Sequence, residues 1–151
     1  MLDSQLLASL LERKRHCLEQ LHALGQEQLA TIESEDLDGL FRLLDARQKW
    51  LDAFQRIEQA LQPYHQQDPA ERRWTSEAQR EQCRADQQRC QTLLAEIAKT
   101  EERGRQQLET QRARTAQQLQ TLSGDRVAMT GYGSSMSSAA TGLHLDLSAE
   151  S

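Results

Sequence analysis

Residues 83–122 read CRADQQR CQTLLAE IAKTEER GRQQLET QRARTAQ QLQTL, and the seven-residue spacing fixes the architecture. Cys83, Cys90, Ile97 and Gly104 form one column, and Gln87, Leu94, Glu101, Leu108, Thr115 and Leu122 form a second. A period of 3.5 residues is the signature of a helix that lays one seam against partner helices. A helix over 76–122 rises about 70 Å at 1.5 Å per residue. Beyond Ile97 its apolar positions thin to Leu108, Leu119 and Leu122, with small Ala113 and Ala116 between them. That half is too sparse to meet a full hydrophobic wall, so it is expected to be either solvated or completed by another chain.

Two shorter stripes precede it. Leu7, Leu10, Leu11, Cys17, Leu18, Leu21, Leu24, Leu29 and Ile32 fall three and four apart, which places them on one face of a helix over about 2–32. Lys14 and Gly25 interrupt that face. Leu37, Leu40, Phe41, Leu44, Leu51, Phe54, Ile57 and Leu61, flanked by Trp50, form the stripe of a second helix over about 36–62, closed by Pro63. The break between them, Ile32-Glu33-Ser34-Glu35-Asp36, offers Ser34 as an N-cap with carboxylates in the first turn. So short a connection makes the two helices antiparallel neighbours. Asp68-Pro69-Ala70-Glu71 reads as a short turn near 69–74, and Ser76 with Gln79 as the cap of the third helix. The first two helices span about 40–45 Å each, so one end of the third must overhang them.

The expected fold is therefore all-α: an antiparallel helical hairpin packed on a long third helix, a coiled-coil-like bundle over residues 1–122. Residues 123–151 form a flexible tail rich in Gly, Ser and Ala, too poor in apolar surface to fold alone. Its docking handles are Tyr132, between two glycines, and the alternating Leu143-His144-Leu145-Asp146-Leu147.

Composition excludes several functions. A net charge of −5 disfavours a nucleic-acid partner, and the basic stretch Arg103, Arg105, Arg112, Arg114 is interleaved with Glu101, Glu102 and Glu109 as a solvated helix face. The longest apolar runs fall far short of the roughly 20 residues that span a bilayer, and the opening Met1-Leu2-Asp3 lacks a basic leader, so a cytoplasmic protein without membrane insertion is expected. Cys17, Cys83 and Cys90 show no C-x-x-C spacing and read as reduced, buried thiols. His16, His22, His65 and His144 converge on no metal or catalytic spacing, and Glu58, Glu96 and Glu101 lack the Glu-x-x-His pairs of di-metal bundles. Without a phosphate loop or nucleophile elbow the sequence is expected to be no enzyme, with neither catalytic residues nor cofactors.

The Ser34-Glu35-Asp36-Leu37 turn, the Leu40-x-x-x-Leu44-x-x-x-x-Lys49-x-Leu51 helix, the long third helix through Leu94 and Ile97, and the Tyr132-Gly133 pair opening the tail together resemble the FlgN family of flagellar export chaperones. The likeness covers most of the chain. The continuation Ser134-Ser135-Met136-Ser137-Ser138 departs from the polar, glycine-containing segment associated with the family. The resemblance implies a chaperone of type III flagellar export that binds the C-terminal helical regions of hook-associated proteins, prevents their premature assembly, and delivers them to the cytosolic domain of the export gate. It makes Tyr132 the gate-contact candidate. A helix with unfilled seam positions offers a groove for a client's amphipathic helix, so Leu94, Ile97, Leu108, Leu119 and Leu122 are the client-binding candidates. The expected state is a monomer or weak dimer. The competing reading is a homodimeric coiled-coil scaffold in which the third helices pair with each other.

Overall fold

A computed structural model describes residues 2–123. Within them the chain forms three long α-helices and one 3₁₀ turn, with no strand among the described residues: α1, Ser4–Glu33; α2, Leu37–Gln66; a turn at Pro69–Glu71; and α3, Glu77–Ser123. The first two hold 30 residues each and the third 47. The expected helical hairpin and long third helix are what the chain builds.

Cross-helix bonds give the directions. Lys14 pairs with Glu58, Cys17 Sγ donates to the Trp50 carbonyl, and Arg47 donates to Gln28 Oε1, so α2 runs antiparallel to α1. Arg15 pairs with Asp86, Gln26 donates to Thr100, and Gln111 donates to the Ile32 carbonyl, so α3 runs parallel to α1. The bundle is up-down-up. α1 is the central helix and packs along both neighbours, while α2 and α3 meet only through side chains.

The core is one cluster drawn from all three helices. Leu7, Leu10, Cys17, Leu18 and Leu21 of α1 meet Leu51, Phe54, Ile57, Leu61 and Tyr64 of α2 and Cys90, Leu93 and Ile97 of α3. Trp50 and Trp74 pack against it half-buried. The Cys83, Cys90, Ile97, Gly104 column is buried along its whole length. The second seam column is not the one read from sequence: it is Asp86, Leu93 and Thr100, all buried, one residue before Gln87, Leu94 and Glu101. Leu93 is 0 % exposed. Polar residues at the neighbouring seam positions hid this register. Asp86 tolerates burial because Arg15 Nε at 3.0 Å and Gln82 Nε2 at 3.1 Å both donate to it, so its carboxylate keeps the partners that a buried charge requires.

Two local expectations are corrected. Ser34 closes α1 rather than opening α2: Glu35 N–H bonds the Ile32 carbonyl and Asp36 N–H the Thr31 carbonyl, the paired bonds of a Schellman turn, with Glu35 at φ 58° where glycine normally stands. The N-cap of α2 is Asp36, whose carboxylate accepts from Gly39 N–H. Pro63 does not end α2, which continues to Gln66. A proline costs the helix one N–H bond, and here that loss falls in the closing turns while the following residue is held firmly. The buried Tyr64 donates its hydroxyl to the Asp3 carbonyl at 2.8 Å, and its own carbonyl accepts from Arg72 at 2.7 Å. The Ser76 and Gln79 cap forms as expected: Ser76 Oγ accepts from Gln79 N–H and Gln79 Oε1 from Thr75 N–H.

Candidate functional site: the open end of the bundle

The two ends of the bundle differ. At one end Asp3, Tyr64 and Arg72 tie α1, α2 and the connecting turn together. At the other, α1 finishes at Glu33 and α2 begins at Leu37, while α3 runs on. Toward this end Gln107 Nε2 donates to Glu33 and Gln111 Nε2 to the Ile32 carbonyl. Beyond Gln111 the helix runs on through residues 112–123, roughly 18 Å at 1.5 Å per residue, and its later turns project past the hairpin. The overhang expected from helix lengths is real, and it lies at the C-terminal end of α3.

The structure divides the five client-binding candidates. Ile97 is 4 % exposed and belongs to the core, and Leu94 packs half-buried against that core. Leu108 is half-buried at the edge of the hairpin, and Leu119 is half-buried on the projection. Leu122 is 82 % exposed. Thus Leu108, Leu119 and Leu122 sit at the open end, whereas Leu94 and Ile97 lie deeper along the helix where the chain's own residues cover them. Tyr132 lies outside the described residues.

Two apolar residues of the same end escaped the sequence reading. Leu37 and Phe41, counted there in the α2 core stripe, are 64 % and 60 % exposed. They stand four apart on the first turns of α2 and so share a helix face. The signal was available in principle, because α2 begins where only α1 and α3 remain to cover it, and one helix face cannot meet both neighbours and also turn outward.

Between the helices at this end lies a cleft of about 270 Å³ with mostly apolar walls: Leu21, Leu29 and Ile32 of α1, and Ile97, Gly104 and Leu108 of α3. Gly25 and Gly104 lie on the facing helices, and the absence of side chains there leaves the space open. A Cβ on Gly104 would meet Ile32 Cδ1 at 3.6 Å and one on Gly25 would meet Thr100 Cγ2 at 3.5 Å, both ordinary contacts. Arg47 closes the α2 side. Its guanidinium is 3 % exposed, donates to Gln28 Oε1 at 3.0 Å and pairs with Glu101. Burial lowers its pKa to about 10, and its Nε–H has no acceptor among the described residues. At the rim Arg105 is held between Glu102 and Glu109, hydrogen bonds that raise its pKa.

Among the described residues no group of three or more His, Cys, Asp or Glu side chains is placed to hold a metal ion, and no helix is long and apolar enough to cross a membrane. Cys17, Cys83 and Cys90 are free and buried, and burial pushes Cys17 and Cys90 up to about 11, away from thiolate reactivity.

A comparison with family models bears on the chain as a whole. The model described as FlgN protein matches residues 1–139. The chain belongs to the FlgN family. FlgN-family proteins are flagellar export chaperones, and that is the general role of this one. The match extends from α1 through the projecting end of α3 and past Tyr132. Neither the curated proteins nor the solved structures contain a match to the chain.

Proposed function

We propose that this FlgN-family chaperone binds the C-terminal helical regions of hook-associated proteins at the open end of its bundle, and does so in the cytoplasm as a monomer. The observation that carries the reading is the projection of α3 beyond Gln111, with Leu122 exposed and Leu119 half-covered and no other helix of the described residues tied to them. An amphipathic client helix laid along the projection would cover Leu119 and Leu122, and it would reach Leu108 and the exposed Leu37 and Phe41 at its hairpin end. Helix-in-groove recognition uses apolar anchors on one helix face, and Leu108, Leu119 and Leu122, eleven and three residues apart, fall on one side of α3. Covering the client's own assembly surface keeps it from polymerising early. Delivery falls to the segment after Ser123, where Tyr132 is the residue proposed to contact the export gate's cytosolic domain.

Calorimetric titration with a C-terminal fragment of a hook-associated protein tests the capture step. Leu119→Asp with Leu122→Asp is expected to weaken binding at least tenfold while leaving the circular dichroism and unfolding midpoint unchanged, since both residues lie outside the core. Unchanged affinity in that variant would overturn the proposed surface. For delivery, Tyr132→Ala is expected to abolish gate binding with client affinity intact, and retained gate binding would remove Tyr132 from its role. Light scattering separates the scaffold reading: pairing of α3 with a second α3 would give a concentration-dependent mass, against the single monomer mass expected here.

A further inference from the structure

We infer that, without a client, the cleft between α1 and α3 at the open end is the docking site for this chain's own segment Leu143-His144-Leu145-Asp146-Leu147. Three observations converge on it. The cleft is roomy because Gly25 and Gly104 face it without side chains, although each glycine weakens its helix by about 1 kcal/mol relative to alanine and nothing in the described residues requires the missing Cβ. The walls are mostly apolar, with Glu101, Arg105, Glu109 and Arg112 also among the lining, and the α2 side carries Arg47, 3 % exposed, with an Nε–H that finds no acceptor among the described residues. A buried donor left unmade costs free energy, so the cleft suits an occupant that brings leucines together with one acceptor.

The segment 143–147 has that chemistry: three leucines and a single carboxylate, Asp146, set between two of them. The connecting chain also has the right length. From Ser123 back to the level of Leu108 and Gly104 is about 22–28 Å along α3 at 1.5 Å per residue. Residues 124–142, rich in Gly, Ser, Ala and Thr, make a spacer of roughly 19 residues, whose root-mean-square span as a flexible chain is about 22–26 Å. Effective concentration peaks when span and distance match, and reaches the millimolar range. A segment with only millimolar intrinsic affinity would then fill the cleft about half of the time.

Leu108 belongs both to this cleft and to the proposed client surface, so an incoming client displaces the segment and frees the tail that carries Tyr132. The docking itself is independent of the client reading and is tested without any client. Amide spectra of the full chain are compared with those of a full-length variant carrying Leu143→Asp, Leu145→Asp and Leu147→Asp. The expected result is a set of shifts at Gly25, Leu29, Gly104 and Leu108, in the helices, with the amides of Leu7 and Leu61 at the closed end unmoved. Changes confined to residues beyond Ser123 would overturn the proposal. Helix shifts that vanish on dilution would overturn it too, by assigning the cleft to a second copy's tail. A second variant, Gly104→Leu, fills the cleft from within and should move the signals of residues 143–147 to the positions they take in an isolated peptide of residues 140–151. If those signals stay put, the cleft is not where the segment resides.

Discussion

The adjacent leucines of α3 offer the sharpest stability test of the fold, because sequence alone ranks them equally and the structure does not. Leu93 is 0 % exposed at the centre of the bundle, in contact with residues of all three helices' shared core. Leu94 packs on the same core from its margin and is half-buried. Truncating a fully buried leucine to alanine costs about 2–5 kcal/mol, the transfer of the lost methylenes plus the cavity they leave. Where half of the side chain already meets water, the cost falls to about 1 kcal/mol and the site can relax. Leu93→Ala should therefore lower stability by about 3–4 kcal/mol and Leu94→Ala by about 1. For a bundle of this size the first corresponds to a fall in Tm of roughly 10 °C, the second to a few degrees. Urea unfolding followed by circular dichroism and by fluorescence of Trp50 and Trp74, both packed on the core, gives the two values with a common slope. A Leu94→Ala protein as unstable as Leu93→Ala would refute the seam register, and with it the placement of Asp86 and Thr100 inside.

Other positions respond in predictable directions. Glu35 holds φ 58° at the end of α1, so Glu35→Gly should remove a left-handed penalty and raise stability by about 0.5–1 kcal/mol, read as a higher urea midpoint; a lower midpoint would contradict the Schellman turn. Gly104→Ala should also stabilise, by about 0.5–1 kcal/mol, because its Cβ meets Ile32 at an ordinary distance; destabilisation would mean that the helices approach more closely than described. Alkaline pH should weaken the fold. Folding raises the thiol pKa of Cys17 and of Cys90 from about 9 to about 11 through desolvation, so the neutral thiols' contribution is intact below pH 9 and lost as pH climbs through 11, on the order of 2 kcal/mol for each. Tyr64, raised mainly by burial, acts in the same direction. Midpoints measured at pH 7, 9 and 10.5 should fall only in the last interval, and replacing Cys17 and Cys90 with alanine should reduce that fall.

Much of this architecture could be read from spacing, and the misreadings share a cause. Leucine-dense helices with a three-four rhythm place most of their stripes, so Leu7, Leu10, Cys17, Leu18, Leu21 and Ile32, and Leu51, Phe54, Ile57 and Leu61, are buried as expected, while Leu11, Leu24 and Leu29 are half-buried. The α3 seam was half legible: its first column announced itself through Cys83, Cys90 and Ile97, but the second contains Asp86 and Thr100, whose burial depends on Arg15, Gln82 and Gln26 donating to them. Those partners become visible only when helices are placed side by side. At the open end, periodicity alone assigns Leu37 and Phe41 to the core, because it describes one helix and not what lies opposite. The overhang was legible from arithmetic on helix lengths. The cleft was not, since it arises from Gly25 standing opposite Thr100 and Gly104 opposite Leu29 and Ile32 across two helices and from Arg47 arriving from a third.

The central claim is that the client is captured at the open end, along the projecting part of α3. Photo-crosslinking from single positions addresses it directly, with a benzophenone amino acid placed at Leu122 on the projection or at Leu6, which is 50 % exposed near the closed end. Mixed with a C-terminal fragment of a hook-associated protein, the Leu122 probe should give one crosslinked adduct of one chaperone and one client, and the Leu6 probe none. Adducts from Leu6 with none from Leu122 would place the client at the opposite end of the bundle and contradict the account.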